Sequence, residues 1–481
     1  MAEPKIVVEH REHLWYLLAE ASQVEHLIMC QYLYASFSLK GGPEDGLTAE
    51  QAAAVARWRE VLTGIAIEEM LHLALVFNVM TAIGAAPPLS RPNFPRSSGD
   101  LPGGVQFRLL PFGTDSLTHF LYLERPEGME RMDAEGFVPT IPPHEPVEAG
   151  EAISRAQDFA TVGHLYRGIE RGLAALSGRF GERGLFVGPR RAQATPELFR
   201  WPQLVAVHDL ASAMAAINEI IEQGLAALSG KFGERGLFVG PGRAQATPEL
   251  FRWPQLVAVH DLASATAAIN EIIEQGEGAR GDWRPAHYGR FLGIWEEYTK
   301  LKQASPAFEP AFPVIPAFTR QPYDITEQQP LLTDPLTRAI AEVFNLGYEV
   351  LLQTLNRFFT HTDETDDQLQ LLVGTAFGLM ADVLRPLGRA LPRLPAGRGH
   401  PGRTAGPTFE MYYQFGNFVP WRGPAWALLS ERAAILATRG AETAALPGAP
   451  AVANDAATAA AGIAAQLLMH VPDELRHVQH H

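Results

Sequence analysis

Cysteine is nearly absent: the 481-residue chain has one, Cys30. That excludes an internal disulfide and any cysteine-rich zinc or iron–sulfur site. Cations are few, 39 Lys and Arg against 54 Asp and Glu for a net charge of −15, and this excludes the basic footprint a nucleic-acid backbone calls for. No apolar stretch reaches the roughly 20 residues needed to span a bilayer. The longest, around 74–88, is interrupted by Asn78. The start MAEPKIVVEHREHLW lacks the apolar core of a secretory signal. No GxSxG is present, and no strand–glycine loop–helix context surrounds the GERG or GPGR segments. The expectation is a soluble, cytoplasmic protein with neither a membrane nor a nucleic-acid partner. With 47% hydrophobic and 19% charged residues, the chain is globular and long enough to bury a large core.

What is present is helical periodicity. From Glu12 to about Leu39, the residues Leu18, Ala21, Glu25, Ile28 and Tyr32 form one stripe in steps of three and four. From about Thr48 to Ile83, the stripe is Leu62, Ile65, Glu69, His72, Val76 and Val79, closed by Gly84 and Pro87-Pro88. Residues 89–150 are rich in Pro and Gly, with a candidate strand at Val105–Leu110 and a short helix near Ser116–Leu123. Further helices are expected at about Phe159–Leu176, Pro335–Phe359, Asp366–Leu391 and Ala425–Arg439, followed by an Ala-rich stretch at Ala451–Ala465. The fold class is all-α: a helical bundle over 1–310 with a long irregular insertion, a second, smaller helical region over 325–440, and an Ala-rich tail over 441–481.

Residues 172–223 recur as 224–275, differing only at Arg179/Lys231, Arg190/Gly242 and Met214/Thr266. Two near-identical copies indicate a tandem duplication rather than a repeat array, which needs three or more units. Each copy carries one helix, about Leu210–Gln223 and Leu262–Gln275, with Asp209 and Asp261 suited as N-caps. The second copy runs on into EGARGDWRPAHYGRF, so the working helix is expected at 262–276.

A carboxylate on a buried stripe is costly unless neutralised, hydrogen-bonded or metal-bound. Glu69 and His72 lie three residues apart on one face and are able to meet the same ion; Glu25 lies on the neighbouring stripe. Oxygen donors with one or two imidazoles suit Fe, Mn or Zn. The competing reading places both glutamates at a solvated stripe edge, with His72 an ordinary core histidine. Tyr32, two turns beyond Glu25, is either a core tyrosine or a phenol that bonds a ligand or acts in redox chemistry. Glu68 points about 100° away from Glu69, in a solvated or supporting position, and His26 is structural.

The segments HLWYLLAEASQVEHLIMCQYLYASFSLK, IAIEEMLHLALVFNVMTAIG, TVGHLYRGIE and INEIIEQGEGA with AHYGRF resemble the ferritin-like domain family named for iminophenyl-pyruvate dimer synthase, related to enzymes of the violacein and rebeccamycin pathways. The later PGRTAGPTFE also resembles part of such proteins. The resemblance implies a ferritin-like bundle with Glu25 as helix-1 ligand, Glu69 and His72 as the helix-2 pair, and Glu274 with His287 as the last-helix pair. Glu222 is the duplicate candidate for the place of Glu274. At position 164 the family would have Glu; this chain has His164, still able to coordinate but with one charge fewer. The implied cofactor is iron, mono- or dinuclear, with Mn or Zn as alternatives. The implied activity is a non-haem metal-dependent oxidoreductase acting on a small organic substrate such as an amino-acid-derived imine, in a chain that forms a homo-oligomer. The alternative is a non-catalytic ferritin-like metal-binding or storage protein.

Overall fold

The computed structural model describes residues 4–96, 106–222, 286–412 and 420–476, apart from positions 127–128, 136, 138–144, 149, 152 and 190 in loops and the side chains of 221 and 222. Among these residues the fold is all-helical, and β-pairing is confined to isolated bridges. The candidate strand near 105–110 reduces to one antiparallel bridge, Arg96 with Phe107.

Helix α1, Arg11–Ser38, and helix α2, Ala49–Ala82, form the central pair. Thr48 starts α2 with a capping box: its hydroxyl accepts the Gln51 N–H, and the Gln51 side chain accepts the Thr48 N–H. Helix α3, Thr114–Leu123, lies within the irregular excursion, and helix α4, Val162–Phe180, packs on α1 behind a Thr161 cap. Helix α5, Leu210–Glu222, packs against α2 and α4, with Asp209 accepting the Ser212 N–H as its cap. Helix α6, His287–Ala304, packs on α3 and α2 and has no counterpart among the helices expected from periodicity.

The helix that packs between α2 and α4 comes from the first copy; 262–276, expected as the working helix, lies outside the described residues. Asn78, the residue that interrupts the apolar run of α2, exchanges hydrogen bonds with Ala194 and donates to the Val205 carbonyl, each at 2.7 Å. That pins the first copy's loop against α2, and Ala213, Ala216 and Ile217 follow into the core.

Helices α7, Pro335–Phe359, and α8, Asp366–Gly378, begin the C-terminal region; a π-helical stretch, Leu379–Leu384, joins α8 to helix α9, Arg385–Ala390. Helix α10, Arg422–Ala444, and helix α11, Ala451–Leu468, form a hairpin in which Gly440 lies against Ala457. The stretch set apart as an Ala-rich tail is therefore a packed helix: its alanines permit close backbone approach. Apolar residues of the bundle and of the C-terminal helices form one continuous core. By length and composition α2 and the run Asp366–Arg393 suffice to cross a bilayer, but 78% of the most apolar window of α2 is buried inside the protein.

Candidate metal centre

Helical spacing brings Glu69 and His72 to one face of α2, where they meet α1. His72 Nδ1 lies 2.8 Å from Glu69 Oε2 and 3.6 Å from Glu25 Oε2. The other Glu69 oxygen faces α6: Oε1 is 3.1 Å from His287 Nδ1, which is also 3.5 Å from Glu124 Oε2. Two groups result, Glu25–Glu69–His72 and Glu69–Glu124–His287, each with its donor atoms within 4.8 Å of one another. Glu69 belongs to both. The two imidazole rings lie 5.7 Å apart and 28° from parallel.

The site is dry. Glu25 and Glu69 are each 1% exposed, His72 5% and His287 6%. Glu25 Oε2, Glu69 Oε1 and His72 Nε2 are buried without a hydrogen bond, a costly state for groups so deep in the protein. Two carboxylate oxygens with no hydrogen bond, Glu25 Oε2 and Glu69 Oε1, beside two imidazoles make a donor set that fits a first-row metal or a pair of them.

The surroundings hold these groups in place. Tyr166 of α4 donates to Glu25 Oε1 at 2.5 Å, and Tyr32 donates to Glu124 Oε1. Glu68 Oε2 meets His287 Nε2 at 2.7 Å and is itself held by Arg290 at 2.5 Å. Burial, aided by the nearby Glu69 charge, pushes the Glu25 carboxyl up to about 8. Burial alone would raise Glu69 too, but the His287 and His72 charges outweigh it and hold its carboxyl well below the usual range. Burial opposes charge on His72, yet the carboxylates, Glu69 foremost, raise it to about 10. His287 is raised for the same reason, by Glu69 and Glu124.

Of the residues expected from sequence, Glu25, Glu69, His72 and His287 come together, and Tyr32 bonds a member of the cluster. His164 stands in neither group; it is buried in the first turn of α4, where its Nδ1 accepts the Ala160 N–H at 3.1 Å. The α4 side chain that reaches the centre is Tyr166, two residues further on. Glu274 lies outside the described residues, as does the side chain of Glu222. His287 opens α6. Glu124, just past the end of α3, was not anticipated. Only the bare presence of a carboxylate after an apolar helical segment could have signalled it.

The chain matches the ferritin-like family over residues 18–229 and again over 225–296, the second match beginning where the second copy does. The chain belongs to the ferritin-like family. It is similar to dichlorochromopyrrolate synthase of Lentzea aerocolonigenes, 27% identical over 84% of this chain and 36% of that protein. It is also similar to 2-imino-3-(indol-3-yl)propanoate dimerase of Chromobacterium violaceum, 25% identical over 83% of this chain and 34% of that protein. The chain thus spans about a third of the length of the curated relatives it matches. A ferritin-like protein from Caulobacter vibrioides aligns in structure with a TM-score of 0.40 at 16% identity, covering 77% of this chain and 97% of that one.

Proposed function

We propose that this chain is a metal-dependent oxidoreductase that holds two iron ions and oxidises an amino-acid-derived imine. The observation that carries this reading is the placement of Glu69, one oxygen toward His72 and the other toward His287, between the terminal carboxylates Glu25 and Glu124. Glu25, Glu69 and His72 would hold one ion, and Glu69, Glu124 and His287 the other; Mn and Zn suit the same donors. Bound iron supplies a route for electrons from an organic substrate to O₂.

The chain's own residues do the rest. Burial keeps bulk water from the reacting centre. Glu68 accepts the His287 Nε2–H, fixing the tautomer whose Nδ1 faces the ion. In the metal-free protein, protons on His72, His287 and Glu25 balance the carboxylate charge, and a cation replaces them. One relative's name describes dimerisation of 2-imino-3-(indol-3-yl)propanoate; by that likeness the substrate is an imino acid bearing an aromatic side chain. Localisation in the cytoplasm, where iron and O₂ are both available, belongs to the same proposal.

The test is metal analysis of the purified chain and its Glu69→Ala variant, with O₂ uptake on imino acids generated from tryptophan and phenylalanine. Two irons per parent chain, loss of both in the variant and substrate-dependent O₂ uptake are expected. A variant with unchanged metal content overturns the site, and many irons per chain without substrate-dependent uptake point to storage.

A further inference from the structure

The two terminal carboxylates of the centre share a feature that the two-ion reading does not require. Glu25 gives Oε1 to the Tyr166 hydroxyl at 2.5 Å and keeps Oε2 toward His72. Glu124 gives Oε1 to the Tyr32 hydroxyl and keeps Oε2 toward His287. The phenols come from different helices, α4 and α1, and both are buried. Neither bonds Glu69, the carboxylate with an oxygen for each group. This is not simply the fate of every interior tyrosine here: the Tyr34 hydroxyl, equally buried, has no hydrogen-bond partner.

A phenol has one O–H to donate, and the carboxylate oxygen that accepts it is held toward the phenol and spends a lone pair there. We propose that Tyr166 and Tyr32 are positioning residues that restrict Glu25 and Glu124 to one metal-binding oxygen each, so that both ions keep open coordination positions. This rests on the two-ion reading above. With the phenols in place each ion would have three protein donors within reach, from the atoms that face one another here: Glu25 Oε2, Glu69 Oε2 and His72 Nδ1 for one; Glu69 Oε1, Glu124 Oε2 and His287 Nδ1 for the other. An octahedral first-row ion so held retains about three positions for small molecules. Without the hydroxyls, Glu25 and Glu124 are free to close on the ion with both oxygens and occupy the positions that O₂ or a substrate carboxylate would take.

The experiment is cobalt(II) titration of the full-length metal-free chain, followed by its visible absorption, for the parent, Tyr166→Phe, Tyr32→Phe and the double variant. Phenylalanine keeps the buried ring and removes only the donor. Parent and variants should bind the same number of cobalt ions, while the visible spectrum of the double variant departs from the parent's as carboxylate oxygens replace small molecules on the ion. Each single variant should account for part of the change. Azide, as a small anion seeking an open position, should shift the parent spectrum and leave that of the double variant nearly unchanged. A fluorotyrosine at 166, which retains the donor, should reproduce the parent spectrum, and it carries the comparison if the Phe variant loses helicity. Identical spectra and azide responses across the series, or loss of cobalt from folded variants, overturn the proposal. A parent chain that binds no stoichiometric cobalt defeats the metal reading itself, a result distinct from either.

Discussion

Oε2 of Glu68 lies 2.7 Å from Nε2 of His287, so a carboxylate on α2 sets the orientation of an imidazole at the start of α6. Arg290, one turn further along α6, holds the same oxygen at 2.5 Å. The arrangement is that of a carboxylate supporting a metal-binding histidine from behind.

Glu68→Gln is therefore expected to weaken one metal position by about 10–100-fold and leave the other near its parent affinity. Calorimetric titration of the metal-free chain reads this as two separated binding phases where the parent shows closely spaced ones. Equal weakening of both phases would mean that Glu68 acts on the fold and not on His287.

Metal uptake should release protons. Near neutral pH the metal-free centre holds them on His72, raised to about 10, on Glu25, raised to about 8, and on His287, also raised. A bound cation displaces them, so apparent affinity rises with pH and about three protons leave at pH 7. Titrations in two buffers of different ionisation enthalpy give the number directly; zero release would show that the histidines are neutral before metal arrives.

Glu20 offers a pH effect away from the metal. It is buried on α1, both of its oxygens lack hydrogen-bond partners, and burial, with a smaller push from Asp158, raises its carboxyl to about 8 from an ordinary 4.5. The folded chain thus retains a proton that the unfolded chain releases. Its contribution to stability is full below pH 4.5 and is lost as pH climbs through 8. Glu20→Gln should match the parent near pH 4.5 and exceed it at pH 8.5 by up to a few kcal/mol, as read by urea unfolding of the metal-free proteins. A pH-independent difference would sink this account.

Removing residues 224–275 should leave a chain that folds and binds metal in the parent ratio, since the helix between α2 and α4 comes from the first copy. Thermal melting and metal analysis check this. A drop of the midpoint by more than about 2–4 °C, the scale of a 1 kcal/mol loss in a domain of 150–250 residues, would show that the second copy supports the bundle.

The helices of the bundle were legible because their stripes are long. Glu25, Glu69 and His72 stand out as acids and imidazole where leucine would be routine, and a buried carboxylate in a periodic helix is hard to explain without a partner. Glu124 and Tyr166 were not legible. Glu124 ends a ten-residue helix inside an aperiodic excursion, and its position is fixed by α6, which is distant in sequence. Tyr166 follows a core pattern that suits any interior tyrosine, and its role emerges only from the distance to Glu25. The second copy's more continuous run into α6 favoured 262–276 as the bundle helix. The Asn78 hydrogen bonds fasten the first copy beside α2, and a side-chain amide meeting a loop 116 residues away leaves no periodic trace.

Tyr348 of α7 bonds His26, the neighbour of Glu25, and also meets the Arg91 guanidinium at 3.1 Å and Cys30 Sγ at 3.7 Å, all in the interior. Removing the C-terminal helices would strip that phenol away and open to water an apolar face that the two regions now bury together. The half that carries the carboxylate–histidine cluster is thus no free-standing module: its interior is completed by a phenol from the other end of the chain.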